Sequence, residues 1–454
     1  MTNERALKEQ RVGKLLLSLS LPVILIMIVQ VLYNMADVFF LGKTGDPLQV
    51  AAVSLAMPVF AVFSAFNTLI GFGGCTAASL ALGSGEKQKV KQYSAFVLYA
   101  GLLLGVLMGT AVLLLQDPLL RLLGTDVETA PLTGDYLRIM ALGAPFAVAG
   151  GAMSNVVRAD GDGKSAVISH MSGTVLNIIL DPLFISALGW GVVGAGVATF
   201  LGNLASFVIL FAVTRKKDSF SVSPRDFSLK PEISRYVLSL GFPMAASTLL
   251  SSFSSVFANR LLVRYGNDAV AAQSIAGKAG MLIAMIVMGI CMGMQPAISY
   301  TYGRGDRKRL HDILLGTGTA SVVTATILAA VFFLGRDAFV RAFLDNGEIL
   351  ALGRRMILGG LAAAPLVGVY QLCSVYLQST GRVAYATVTA LMQKGLVYVP
   401  VLYLMNTALG LTGLIFSSAV TDVVSMLAAL ALCIKSMKGQ EKLALERQID
   451  TSTR

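Results

Sequence analysis

The chain has 454 residues, of which 55% are hydrophobic and 13% are charged, against roughly 25% charged residues in an average soluble domain. This composition excludes a chain that folds mainly in water. The formal net charge of +11 does not indicate a nucleic-acid partner, because the basic residues form short clusters between apolar runs instead of one basic stripe.

Long apolar runs recur along nearly the whole chain, such as those at 15–31, 96–115 and 313–334. Each run has about twenty residues, which is enough for a helix to cross a hydrocarbon layer of ~30 Å. The runs are continuous, whereas a membrane β-barrel would show segments of about ten residues that alternate between apolar and polar. We therefore predict an all-α integral membrane protein that is embedded in the lipid bilayer.

Twelve transmembrane helices are predicted in chain order, in two groups of six. The first group covers 15–41, 50–82, 93–116, 133–157, 166–187 and 193–214. The second group covers 236–263, 268–302, 311–334, 352–378, 384–404 and 410–434. Between the groups lies the longest hydrophilic connection. This pattern predicts an N-lobe at 1–214, a cytoplasmic linker at 215–235 and a C-lobe at 236–454.

The two lobes form an internal repeat with an offset of about 220 residues. Its matching glycines are Gly45 and Gly266, Gly83 and Gly303, Gly85 and Gly305, Gly161 and Gly381, and, after a one-residue slip, Gly191 and Gly410 as well as Gly194 and Gly413. Each lobe has an even number of spans, so the copies enter the membrane in the same direction and a pseudo-twofold axis along the membrane normal relates them. Parallel repeats that face each other across a cleft are a recurrent architecture of alternating-access transporters.

Clusters of lysine and arginine fix the predicted orientation. When the spans are assigned to alternate sides, the clusters at 5–14, 87–91, 215–235, 304–309 and from 435 onward fall on one side. By the positive-inside rule that side is the cytoplasm. We expect a multi-pass protein of the cell (inner) membrane with both termini in the cytoplasm.

Oxygen-bearing side chains within the N-lobe spans form the main candidate site. Asn177 and Asp181 are four residues apart on one helix, so they lie on the same face. Asp37 on the first span and Thr199 on the sixth lie at about the same predicted depth. Carboxylate, amide and hydroxyl oxygens suit a small alkali cation, and a buried carboxylate pair also suits a proton. Hydrogen bonding between helices is the alternative role for the asparagine and the threonine.

The C-lobe spans contain Lys278, Lys394 and Asp422. We interpret these residues mainly as members of a structural salt bridge, because an unpaired charge within the membrane is costly. A lysine that faced the cleft without a partner would instead indicate a substrate group. Candidate substrate-binding residues are Met27, Tyr33, Met57, Met153, Met244, Lys278, Tyr370 and Lys394. Packing in the core or against lipid is the alternative role for the apolar members of this set.

Several motifs together resemble the multidrug and toxic compound extrusion (MATE) family of efflux transporters, in its DinF-like or MepA-like branches. They are the first helix from Pro22 to Asp37, its continuation at 40–42 and 50–52, the echo of this segment at 243–272, and the loop at 158–164 with Gly161-Asp162. The repeat length and the central basic linker agree. The resemblance covers about residues 10–435.

In that family an aspartate on the first helix, an asparagine and an aspartate on the fifth and a threonine on the sixth form a cation site. The resemblance thus implies that Asp37, Asn177, Asp181 and Thr199 bind the coupling ion. It also implies Na⁺ or H⁺ antiport that exports small amphipathic, mostly cationic compounds. No enzymatic activity, catalytic residue, cofactor or metal other than Na⁺ is expected, and a monomer is expected.

One departure from the family pattern argues against coupling through the C-lobe. Some members carry acidic residues on the seventh and tenth helices, whereas this chain has Ser251 in the first region and no acidic residue between Arg355 and Gln378. A lipid-linked precursor flippase is the alternative function, with Lys278 or Lys394 receiving phosphates. A membrane enzyme or channel is less favoured, because the sequence shows no nucleophile–base set, metal-ligand cluster or pore-like repeat.

Overall fold

The computed structural model describes residues 7–343 and 347–452, and within them the side chains at 32, 34, 35, 37, 38, 267, 347, 348 and 439–452 fall outside the description. All regular secondary structure in these residues is helical. Eleven segments are long and apolar enough to cross a membrane. The predicted all-α membrane class is thereby confirmed.

Seven helices build the first half of the chain. They are α1 (Val12–Gly42), α2 (Pro47–Gly83), α3 (Lys87–Leu114), α4 (Gln116–Leu123), α5 (Thr129–Val157), α6 (Gly163–Asp181) and α7 (Gly191–Arg215). The six long helices start and end within about six residues of the predicted spans. The sequence analysis missed α4, because its eight residues are too few to span a bilayer.

Eight helices build the second half. They are α8 (Pro231–Leu262), α9 (Asn267–Arg304), α10 (Arg307–Leu334), α11 (Arg336–Arg341), α12 (Gly347–Leu361), α13 (Ala364–Ser379), α14 (Val383–Leu391) and α15 (Tyr398–Ser452). Helices α12 and α13 together form one span, Ile349–Ser379. The last apolar segment, Val383–Lys438, has 56 residues, and at 1.5 Å per residue it is long enough to cross twice. It breaks at Gly410, where φ is 59° and ψ is −138°, so the chain has twelve spans.

The backbone confirms the internal repeat. Four of the six glycine pairs that match between the halves have positive φ in both members, a conformation that glycine adopts without strain. Their φ values are 77° and 95° at Gly45 and Gly266, 79° and 78° at Gly85 and Gly305, 88° and 73° at Gly161 and Gly381, and 53° and 59° at Gly191 and Gly410. A π-helical turn also occurs in each half, but at different places: Pro182–Ala187 ends the fifth span of the first half, whereas Met392–Leu396 lies between α14 and α15.

The chain divides into two compact units. The first comprises Met1–Ala245 and Ser299–Arg307, and the second comprises Ala246–Ile298 and Lys308–Arg454. Two of the three unit boundaries therefore fall inside long helices, within α8 and within α9, and the third falls at the start of α10. The first two boundaries each follow a helix-interior proline, Pro243 in α8 and Pro296 in α9.

Helix α5 is the central helix of the first unit and packs against α2, α3 and α7. Three glycines of α3, one turn apart, let its backbone touch α5. A Cβ atom at Gly101, Gly105 or Gly109 would lie 2.9, 2.4 or 2.3 Å from Ala149 Cα, Pro145 Cα or Ala141 O, respectively. Such stripes of small residues bring membrane helices together where the hydrophobic effect between them is absent.

Helix α2 makes equally close contacts with the start of α8. A Cβ atom at Gly73 would lie 2.0 Å from the Val237 carbonyl oxygen, and one at Gly241 would lie 1.7 Å from the Leu69 carbonyl oxygen. These distances leave no space for any side chain, because non-bonded carbon and oxygen atoms do not approach below about 3 Å. The two backbones are therefore in direct contact.

This contact predicts that Gly241→Ala destabilises the protein. The added methyl group forces α2 and α8 apart, which costs roughly 1–3 kcal/mol. Gly277→Ala is the matched control, because nothing lies within 4 Å of a Cβ atom at this glycine of α9. Thermal unfolding in detergent should show a lower midpoint for Gly241→Ala only, and equal midpoints for the two variants would contradict the packing described.

Lys217, which follows α7, connects this end of α7 to the segment before α6 in the first unit. Its Nζ atom lies 2.7 Å from Asp160 Oδ2 and 2.9 Å from Asp162 Oδ2. Asp162 is also the N-cap residue of α6, and its side chain accepts a hydrogen bond from the Ser165 amide at 3.1 Å. Burial acts to raise the pKa of Asp162, but hydrogen bonds from Ser165 and Lys217 outweigh it, and the pKa lies below its ordinary value.

We expect Lys217→Gln to lower stability at pH 7 by roughly 1–3 kcal/mol, between the values for exposed and buried ion pairs. Because folding lowers the pKa of Asp162, its contribution is present above the ordinary carboxyl pKa of about 4 and is lost as the pH falls through the lower, folded value. The difference in unfolding midpoint from wild type should thus shrink on acidification. Arg138→Gln, which breaks an exposed pair with Asp135, should show little effect at either pH.

Candidate functional site

The candidate site forms where α6 and α7 touch through two glycines. A Cβ atom at Gly173 would lie 2.4 Å from the Gly202 carbonyl oxygen, and one at Gly202 would lie 2.7 Å from the Gly173 carbonyl oxygen. Next to this contact, the Cβ atom of Asn177 lies 3.2 Å from the point that a Cβ atom of Gly202 would occupy. Thr199 precedes Gly202 by three residues and so shares its face of α7. The glycine contact therefore holds Asn177 and Thr199 beside each other.

The polar atoms of this site are buried. Asn177 and Asp181 are 0% exposed and Thr199 is 2% exposed. Asn177 Nδ2 donates to Asp181 Oδ1 at 3.4 Å, and the Tyr33 hydroxyl of α1 donates to Thr199 Oγ1 at 3.0 Å. Asn177 Oδ1 is buried and accepts no hydrogen bond from the residues that the structure describes.

An acceptor oxygen that is buried without a donor costs on the order of 1–3 kcal/mol. A small cation would satisfy Asn177 Oδ1, and the carboxylate of Asp181 supplies the compensating charge. This chemistry fits Na⁺, which prefers hard oxygen donors, and the carboxylate also fits a proton. The structure brings together three of the four predicted cation ligands. Asp37 lies on α1, and the predicted role of its side chain falls outside the described residues.

A cavity of about 480 Å³ opens beside these residues within the first unit, and Asn177 and Thr199 belong to its wall. The sequence analysis missed several polar residues of the same wall. They are Gln30, Asn67, His170, Thr174, Asn203 and Ser206. Helical spacing is the signal that would have found most of them. Residues 170, 174 and 177 recur at the spacing of one α6 face, as do 199, 203 and 206 on α7.

Two of the predicted substrate-binding residues, Tyr33 and Met57, line this cavity. Met153 is instead buried in the helix packing at 1% exposure. Met27 and Met244 are partly buried elsewhere in the first unit. The substrate roles of these residues stay predictions.

In the second unit, the remaining predicted substrate residues take three different positions. The Tyr370 hydroxyl donates to the Thr389 carbonyl oxygen at 3.1 Å. Lys278 is exposed, and its Nζ atom lies 6.0 Å from the centre of the Phe343 ring. Lys394 lines a separate cavity of about 370 Å³ together with Asp422.

The predicted salt bridge among the second-unit charges is not formed. Asp422 Oδ1 accepts a hydrogen bond from Gln393 Nε2 at 3.1 Å. Among the described residues, neither Lys278, Lys394 nor Asp422 belongs to an ion pair of 4.0 Å or less. Sequence position gives the depth of a charge but not the direction of its side chain, which is why the interpretation was wrong.

Two parallel repeats of six membrane-spanning helices, with a polar cavity enclosed in each unit, define a membrane transporter. The family model described as MatE matches the chain twice, at residues 22–183 and at residues 243–404. The chain therefore belongs to the MatE family. The resemblance expected from the sequence is confirmed, and the two matches start 221 residues apart, in agreement with the internal repeat.

Relatives of known name cover nearly the whole chain. It is 30% identical over 426 residues to the multidrug export protein MepA of Staphylococcus saprophyticus, covering 94% of each chain. It is 31% identical over 424 residues to the multidrug export protein MepA of Staphylococcus aureus strain NCTC 8325 / PS 47, covering 93% of each chain.

Solved structures show the same fold. An outward-facing multidrug resistance MATE family transporter of the MOP superfamily superposes with a TM-score of 0.90 at 24% identity, covering 97% of this chain and 99% of that one. A crystal structure of MATE in the bent conformation superposes with a TM-score of 0.91 at 24% identity, covering 98% and 99%. The twelve-helix architecture is thus that of MATE transporters.

Proposed function

We propose that this transporter is a cation-coupled multidrug antiporter, which exports amphipathic, mostly cationic organic compounds by alternating access and uses Na⁺ or H⁺ as the coupling ion. The observation that carries the proposal is the buried group of Asn177, Asp181 and Thr199, of which Asn177 and Thr199 line the first cavity. The two relatives named multidrug export protein MepA support the class of substrate.

The proposed coupling rests on competition for one buried negative charge. Asn177 Nδ2 bonds to the carboxylate of Asp181, and Asn177 itself lines the cavity that Tyr33 and Met57 also line. A cation at Asp181 and a cationic compound in the cavity would each neutralise this carboxylate, so both together are disfavoured. Exchange follows if the two ligands prefer different conformations of the transporter.

Tyr33 offers a direct connection between the two ligands. Its ring lies in the cavity wall and its hydroxyl bonds to Thr199 Oγ1. A cation that recruited Thr199 Oγ1 as a ligand would compete with this hydrogen bond, because both use the lone pairs of the same oxygen. The position of the tyrosine ring, and hence the shape of the cavity, would then depend on the ion.

The proposed direction of transport follows from the charge distribution. By the positive-inside rule, the basic clusters support a cytoplasmic location for both termini and the 215–235 linker. Export then runs from the side that carries these clusters to the opposite side. The inward gradient of the coupling cation would supply the free energy.

We predict that Asp181→Asn reduces gradient-driven export of ethidium by at least about tenfold, within the usual range of coupling free energies. The amide keeps the shape of the side chain but removes the charge that both cations require. Transport is measured in proteoliposomes with an imposed Na⁺ gradient in one series and an imposed pH gradient in the other. The series that drives wild-type export identifies the coupling ion.

The matched control is Asp135→Asn, because Asp135 is an exposed aspartate of α5, paired with Arg138, that lies outside the cavity. This variant should export ethidium at the wild-type rate. Undiminished export by Asp181→Asn would contradict the role of the buried carboxylate. A wild-type rate of ethidium export that depends on neither the Na⁺ gradient nor the pH gradient would contradict antiport.

A further inference from the structure

The second unit contains a polar cavity of about 370 Å³, a size typical of small-molecule sites. Helix α8, the π-helical turn Met392–Leu396 and helix α15 contribute to its wall. The wall residues with polar side chains include Ser251, Asn259, Lys394, Tyr398, Ser418 and Asp422. Positive and negative side chains thus meet in one membrane-embedded cavity.

This cavity is the repeat counterpart of the cavity in the first unit. The interval of 221 residues between the two MatE matches pairs Gln30 with Ser251, Tyr33 with Ser254, Gly173 with Lys394, Asn177 with Tyr398 and Asp181 with Leu402. The interval of 219 residues between Gly191 and Gly410 pairs Thr199 with Ser418 and Asn203 with Asp422. Except for Asp181, all of these residues line one or the other cavity.

The two cavities have their charged side chains at different positions of the repeat: Asp181 lies beside the first cavity, whereas Lys394 and Asp422 line the second. Leu402 stands where the first unit has Asp181, so the second cavity lacks the carboxylate of the proposed cation site. Lys394 stands where the first unit has Gly173, so a side-chain ammonium replaces a bare backbone contact. A fixed ammonium in a membrane-embedded cavity repels a metal cation and attracts an anion.

Lys394 has no carboxylate within 4.0 Å in the part of the chain that the structure describes. Asp422 is close enough to attract it through space, but one oxygen of that carboxylate is engaged by Gln393 Nε2 at 3.1 Å. An ammonium within the membrane is costly when nothing pairs with it. An anionic ligand group at Lys394 would offset this cost.

The local backbone presents Lys394 to the cavity. Gln393 and Lys394 both belong to the π-helical turn, and such turns are frequent at functional sites because they release backbone groups from the regular ladder. The Ser254 hydroxyl of α8 donates to the carbonyl oxygen of Lys394 and ties the turn to α8. The ammonium itself belongs to the cavity wall.

We propose that this cavity binds an amphoteric organic compound, whose carboxylate contacts the Lys394 ammonium while its cationic part faces Asp422. The hydroxyl of Tyr398 and the amide of Asn259, both in the wall, provide further donors for the carboxylate. The transporter would then hold two internal sites of different selectivity, one in each unit. The first selects cations, and the second selects compounds that carry both charges.

The test compares two dyes that differ at one group. Rhodamine B is a zwitterion with a free carboxylate, and in rhodamine B ethyl ester this carboxylate is esterified, so the ester is a cation. Their equilibrium binding to the purified full-length protein is measured by fluorescence anisotropy in nanodiscs without any ion gradient. Lys394→Gln should weaken the binding of rhodamine B by about tenfold or more, as expected for loss of a charge-assisted contact. The same variant should leave the binding of the ester unchanged or stronger.

Three further variants make the result specific. Lys394→Arg keeps the charge and should retain at least part of the preference for rhodamine B. Asp422→Asn should weaken both dyes, because both carry the cationic part. Lys308→Gln is the matched control, because Lys308 is an exposed lysine of the same unit outside the cavity, and this variant should bind both dyes as wild type does.

Equal losses of both dyes in Lys394→Gln, or no loss of rhodamine B, would overturn the proposal. Unfolding midpoints are compared first, and Lys394→Met provides a second neutral variant if Lys394→Gln does not fold. Competition by benzoate would assign the site to soluble carboxylates, whereas competition only by short-chain dihexanoyl phosphatidate would overturn the carboxylate assignment in favour of a lipid phosphate. Because no gradient is applied, failure here leaves the cation-coupling proposal intact, and failure of the flux experiment leaves this one intact.

Discussion

The contact between the backbones of α6 and α7 at Gly173 and Gly202 is the constraint on which the first cavity depends. Without a side chain at either position, the helices come close enough for Asn177 to pack against the α7 backbone. Asn177 then shares a buried region with Asp181 and Thr199, and the cavity opens beside them. Two residues that carry no functional group thus determine where the functional oxygens meet. Small residues have this role in membranes because packing, rather than the hydrophobic effect, brings helices together there.

The same constraint explains why duplication produced two different cavities. In the second unit the position of Gly173 is Lys394 and that of Gly202 is Thr421, so side chains occupy the space in which the first-unit backbones touch. The helical register adapts through the π-helical turn at Met392–Leu396. One exchange of glycine for lysine therefore changes both the packing and the charge of the cavity, while the surrounding helices keep the repeated order.

Much of the fold could be predicted from the sequence because membrane spans leave a strong signal. Continuous apolar runs gave the long helices of the first half to within about six residues, and four of the six glycine pairs of the repeat have positive φ. The side-by-side positions of Asn177 and Asp181 followed from their spacing of four. The salt bridge that was predicted between Lys394 and Asp422 is not formed. The π-helical turn that contains Lys394 changes which residues share a face of the helix, and the sequence pattern does not show such a turn. The cavity-lining role of Gln30 and Asn67 depends on contacts between helices that no local pattern encodes.

The segments that connect the two units determine which parts of the chain must bend when one unit moves. The 215–235 linker is packed onto the first unit, where the Phe227 ring stacks on Phe96 and the Tyr99 hydroxyl bonds to the Val222 carbonyl oxygen. The units are joined instead within helices at three places: two residues after Pro243, two residues after Pro296, and after Arg307, the first residue of α10. A proline deletes one rung of the helical hydrogen-bond ladder and so lowers the resistance to bending at that point. Any movement of one unit against the other must therefore bend these helices, because no flexible linker connects the two units in the described part of the chain.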